Sequence, residues 1–235
     1  FKRDLRVRDH KPLYNASLTG APVLPLYVLE PGYWSQPTAS RRHWCFINDC
    51  LNELSADCST LGQPLIIKVG DPRKVFEEIR NEFNIRTIHC HEETGDNWTY
   101  KRDLLVREWC RKTLINLVEH PNNGVVRGLR NRDEWAKIRN SRVYEKITPT
   151  PKRIKPIGIS SSDTIPLKND SMFGLPIKGK VQKGGRKEAI LLLNSFTETR
   201  GRDYLLNISS PAKSDTSCSS ITTHLTWRTI TVKEI

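Results

Sequence analysis

The feature that most constrains this chain is an alternation in its first half. Short apolar runs, each four to eight residues long, are separated by stretches with helical spacing. The run 22–29 is continuously apolar apart from its prolines, which suits a strand buried on both faces, as in a parallel sheet. Trp44, Ile47, Leu51, Leu54 and Cys58 then step by three and four along one helix face, with Ser40 placed to cap it and Gly62 to stop it. The run 64–69 is the next strand, and Asp71-Pro72 opens a helix carrying Val75, Ile79 and Phe83. A third strand is expected over 86–90, a helix over 97–112 with Tyr100, Leu104, Leu105 and Trp109, and a last strand near 114–118. Strands separated by helices of ten or more residues imply βαβ units. The pattern therefore predicts a doubly wound α/β domain over residues 1–125.

The second half of the chain is of a different kind. Ten basic and three acidic residues fall between 127 and 155, either a solvated face or a surface that tracks phosphates. Trp135 and Tyr144 lie inside it, without the regular interleaving of base-stacking sites. Residues 148–180 are rich in Pro, Ser, Gly and Lys and read as a linker. After Gly184-Gly185, the positions Ala189, Leu192, Leu193 and Phe196 give an i, i+3, i+4, i+7 helix stripe. The net charge of +12 suggests an anionic partner. No apolar run approaches the roughly 20 residues that span a bilayer, and no secretory signal is visible. Six cysteines form no C-x-x-C pair and read as free thiols of a reducing compartment, the cytoplasm, or the nucleoid or nucleus. His89 and His91 share a strand face with no third ligand, so no metal site is assigned, and no catalytic residue is assigned either.

The end of the chain is dense in hydroxyls: Thr216, Ser217, Ser219, Ser220, Thr222 and Thr223. Such a run either caps a helix or holds phosphate. Position by position, 216–231 resembles the flavin-phosphate loop of the cryptochrome/photolyase family, T-S-C-S-R-L-S-P-H-L-T-W-G-x-I-S, with Ser220 for Arg, Thr223 for Pro and Arg228 for Gly. Residues 1–9 resemble the same family's W-F-R-R-D-L-R-x-x-D signature.

The resemblance implies a five-stranded parallel sheet whose first, central strand is truncated at Phe1, consistent with a chain whose only methionine is Met172. It implies a linker over 126–183 and, over 184–235, the first helices of an all-α FAD-binding domain. FAD would be met by Tyr204, Cys218, Ser219, Ser220, Ile221 and Thr222, with a second, antenna pigment of folate or deazaflavin type. Cys218 stands where many members have Thr, which weakens one phosphate contact. Lys2, Arg3, Asp4, Glu92, Glu93 and Gly95 are expected along the groove beyond the strand ends. The implied activity is light-driven electron transfer from FAD to pyrimidine dimers in DNA, by a chain that is an incomplete copy and by itself neither retains FAD firmly nor repairs DNA. A blue-light photoreceptor without repair activity and a basic nucleotide- or nucleic-acid-binding α/β module are the alternatives.

Overall fold

A computed structural model describes residues 1–159 and 162–235. The linker reading at Ser160 and Ser161 lies outside the described residues. The first half is a run of α1 (Lys11–Leu18), β1 (Leu26–Leu29), α2 (Pro31–Trp34), α3 (Arg41–Thr60), β2 (Ile66–Val69), α4 (Pro72–Glu82), β3 (Thr87–His91), α5 (Asn97–Thr113) and β4 (Asn116–His120). After it come α6 (Trp135–Val143), α7 (Arg186–Glu198), α8 (Tyr204–Asn207), α9 (Ser214–Ser217) and α10 (Thr222–Thr226).

The local chemistry explains the boundaries. Ser40 caps α3, accepting from the His43 N–H. Asp71 caps α4 with Pro72 in its first turn, and Asp96 caps α5. Helix α1 has no such signal. Its cap is His10, whose Nδ1 accepts from the Leu13 N–H.

Both strand pairings are parallel: β1 with β2, and β3 with β4. The alternation of strand and helix is thus doubly wound as expected, but four strands are formed among the described residues, in two pairs. Between the pairs stand the chain's N-terminal residue and packed side chains instead of a strand. The Phe1 amino group donates to the Leu26 carbonyl on β1, its ring packs on His10, and His10 packs on His91 of β3. No helix among the described residues is long and apolar enough to cross a membrane.

The core is centred on α3. Trp44 stacks on Phe173 with ring centroids 4.4 Å apart, and Trp34 meets both edge-on. Phe173 comes from the stretch read as a linker, and described residues on both sides of 160–161 pack on the α/β domain as a strap. Ile154 and Phe173 are buried, the Gln63 side chain bonds the backbone of Ile157 and Ile159, and Asp163 accepts from the Val69 N–H at the end of β2. Few apolar residues suffice because each is fully buried, a pattern periodicity does not detect.

Candidate functional site

Helix α7 is docked onto α3 through two glycines. A Cβ on Gly184 would sit 2.0 Å from the Phe46 carbonyl oxygen, so only glycine allows this approach. Gly185 has a φ of 101° and donates its N–H to the Cys50 sulfur, while Glu53 accepts from the Lys187 N–H. The far end of this segment is pinned by His224, fully buried between Phe46 and Thr229. Burial pushes its pKa down to about 4.

These anchors place the hydroxyl-rich turn. Arg200 donates to the carbonyls of Leu192 and Cys218 and to the Ser195 hydroxyl, and Gln182 donates to the Ser220 carbonyl. Ser220 has a φ of 55°, the left-handed conformation that turns successive N–H groups to one side. With its carbonyls tied back, the turn has donors to spare. Among the described residues the N–H groups of Ser219, Ser220 and Ile221 and the hydroxyls of Ser219 and Ser220 find no hydrogen-bond partner. A turn with open donors beside an arginine suits a diphosphate. Ile221 is the buried anchor of the turn, in a small core with Ala189 and Ile230. Tyr204 opens α8, its ring edge-on to Phe196 at 5.7 Å, and α8 packs against α9.

Thr222 begins α10 and faces a cleft. This cleft, of about 360 Å³, lies beyond the C-terminal ends of β3 and β4 and is lined by Arg3, Thr94, Gly95, Asn122, Thr222 and Arg228, among others. Here residues 1–9 and 224–234 meet. The Leu5 N–H donates to the Trp227 carbonyl, Arg6 to the Arg228 carbonyl, and Lys233 pairs with Asp9. Arg228, where the family pattern has glycine, sits at a φ of 51° and reaches back to Thr94 Oγ1 and the Arg3 carbonyl. The amide nitrogen of Asn122 in this wall is buried without a partner.

Of the six groove residues expected, Arg3 and Gly95 line the cleft. The others are engaged in structure. Lys2 pairs with Asp103, Glu93 accepts from the N–H groups of Thr94 and Gly95 and pairs with Arg102, and Glu92 faces Arg127 and Arg142.

Asp4 is buried below, accepting at one oxygen from His10 Nε2 at 2.9 Å and His91 Nδ1 at 2.6 Å. Burial would raise its pKa, but the two imidazoles hold it well below the carboxylate range. Burial likewise lowers the pKa of both histidines. Asp4, His10 and His91 place ligand atoms within 4.8 Å of one another. Yet His10 Nδ1 receives the Leu13 N–H, so its proton sits on Nε2 and points at Asp4. A cation there would displace that proton and break the α1 cap, so the trio is a hydrogen-bonded brace. His89, paired with His91 in the sequence reading, instead stacks on His120.

The meeting of the two ends leaves no trace in the local sequence. They are more than 220 residues apart, and no local pattern reports such a contact.

The DNA photolyase family model matches residues 1–156. A cryptochrome DASH from Gloeobacter violaceus is 24% identical over 241 residues, covering 87% of this chain and 47% of that protein. The Synechocystis cryptochrome structure superposes with a TM-score of 0.79 at 17% identity, over 98% of this chain and 52% of that one. An archaeal photolyase structure from Sulfolobus tokodaii, described with two FAD molecules, gives 0.72 at 22% identity, over 100% and 52%. The chain thus spans about half the length of these relatives. With the family signatures at its two ends brought into contact across one cleft, this chain belongs to the cryptochrome/photolyase family.

Proposed function

We propose that this chain is the α/β part and cofactor-gripping segment of a photolyase-type flavoprotein that uses light to drive an electron from FAD into pyrimidine dimers in DNA. Residues 1–125 form the pigment-facing α/β domain, 126–183 the strap, and 184–235 the start of the flavin domain. The observation that carries the reading is the turn after α9, with its carbonyls drawn back by Arg200 and Gln182 and its N–H and hydroxyl donors left open. Ser219, Ser220 and the turn's backbone would hold the FAD diphosphate, Ile221 would fix the turn, and Tyr204 would border the cofactor. Cys218 contributes its backbone more than its thiol. The flavin supplies the redox chemistry, and this chain's residues orient it and shield it from water.

The cleft beneath Arg3 and Arg228 would take a second pigment, by its size and its two guanidinium groups. That assignment is supported by the likeness to the Sulfolobus photolyase, whose description names a light-harvesting cofactor. The six cysteines, all free thiols, fit a reducing cytoplasmic, nucleoid or nuclear setting.

The test is a repair assay. The intact gene product is supplied with reduced FAD and an oligonucleotide carrying one pyrimidine dimer, and illuminated with blue light. Loss of the dimer only in the light and only with FAD supports repair. A flavin spectrum that responds to light while dimers persist would favour the second reading, a photoreceptor, which the DASH and cryptochrome relatives support.

A further inference from the structure

Among the described helices of eight or more residues, α6 alone buries none of its own side chains and has no side-chain cap at its start. Helices normally persist through a buried apolar face. Here Ala136 and Val143 lie on one side and Ile138 on the other, too few and too far apart to form an apolar stripe. The helix is instead clipped to the backbone just past β4. The Trp135 indole N–H donates to the Gly124 carbonyl at 3.1 Å, and Arg142 donates to the Val125 carbonyl at 2.6 Å. Arg139 crosses over Gly124, where a Cβ would lie 2.8 Å from its Cγ, and its guanidinium lies 5.7 Å from the centre of the Trp135 ring.

The consequence is an aromatic ring held in place yet 44% exposed, followed by Tyr144 at 82%. Around them Arg130, Arg132, Lys137, Arg139 and Lys146 are exposed and make no ion pair among the described residues. Two exposed acids, Asp133 and Glu134, oppose these five cations, and the third acid, Glu145, is already matched by Lys11 and Lys233.

We propose that this arm, residues 130–146, is a contact for single-stranded nucleic acid: a base stacks on Trp135, with the Arg139 cation behind the ring, and the flanking arginines and lysines track the phosphates. Open aromatic rings set among unpaired cations are what unstacked bases require, because a duplex hides its base faces. An anionic membrane surface would call for an apolar helix face, which α6 lacks. The inference stands apart from the flavin reading, since no residue of the arm belongs to the 218–222 turn or donates to it.

The test is anisotropy of a labelled oligothymidylate with the whole chain, against a duplex of equal length and anionic vesicles. The single strand should bind tightest. Trp135→Ala should weaken it roughly tenfold; Trp135→Phe, which keeps a ring face but loses the bond to the Gly124 carbonyl, should keep part of the affinity; and neither should shift the global melting temperature, because α6 buries no side chain and Arg142 still clips it. Arg132→Ala with Lys137→Ala should lower the salt slope by about 0.7 per lost phosphate contact. Removing two exposed cations that are already paired with Glu108 at the end of α5, by Arg111→Ala with Lys112→Ala, should change little. The proposal is overturned if that control pair costs as much, if Trp135→Ala binds unchanged, or if duplex or vesicles bind more tightly than the single strand.

Discussion

The two halves of the molecule hold their shape by different means. The α/β half has one continuous core running from Leu5 and Leu29 through α3 to Phe173 of the strap. The segment from 184 onward has a core of its own made of only three buried residues, Ala189, Ile221 and Ile230, and leaves Leu205 and Leu206 more than 80% exposed. Its order comes from elsewhere: Gly184, Gly185 and His224 seated on α3, Arg200 tying the turn, and Glu234 gripped by Arg186 and Arg8. The cofactor turn is thus tied within its segment by Arg200 and the small Ile221 core, and the segment itself is held in place by docking to the α/β domain. Elements built with little core of their own are the ones that open locally.

That contrast can be broken from either side. The largest effect should follow from Trp44→Ala, which removes the centre of the aromatic stack and should cost about 3–5 kcal/mol of global stability in chemical denaturation. Gly184→Ala comes next. Its methyl meets the Phe46 carbonyl at 2.0 Å, and a cost of about 3 kcal/mol should fall on the docking of α7. Limited trypsin digestion would show this, with Arg200, Arg202 and Lys213 cut early while residues 1–156 resist. Simultaneous loss of both halves would instead mean that they fold as one unit.

Acid should act on both halves. The His224 pKa is lowered from 6.5 to about 4 by burial, so the folded state binds fewer protons than the unfolded one below pH 6.5. Stability should therefore be flat above that pH and fall as pH drops from 6.5 toward 4, by about 2 kcal/mol for His224 at pH 5. His10 and His91 shift in the same direction and add to the loss, while Asp4, held below its usual range, stays ionised through this window. Denaturant midpoints at pH 7.5 and 5 check the sign, and His224→Gln should flatten part of the slope. The smallest effect should come from Leu205→Ser and Leu206→Ser, each within about 0.5 kcal/mol. A larger loss would show that these leucines pack on something the fold requires.

Much of the α/β half was legible because its determinants are local. The caps at Ser40 and Asp71 and the stripe from Trp44 to Cys58 are set by neighbours a few residues away. The strap was not, since Ile154 and Phe173 are isolated apolar residues in a polar stretch and only the cavity they fill explains them. Helix α1 escaped because its cap is an imidazole whose role depends on Asp4. The hydroxyl run named the turn, but not what holds it: Arg200 and Gln182 belong to no local pattern and act only once α7 has docked.

The central claim is that the 218–222 turn grips the diphosphate of a flavin dinucleotide. Equilibrium binding of FAD, ADP and riboflavin to the intact chain tests it most directly. FAD and ADP should bind competitively and riboflavin should not, and Ser219→Ala with Ser220→Ala should weaken FAD about tenfold, one to two hydrogen bonds' worth, with the fold unchanged. Riboflavin binding as tightly as FAD, or an affinity for FAD indifferent to the two serines, would contradict the account.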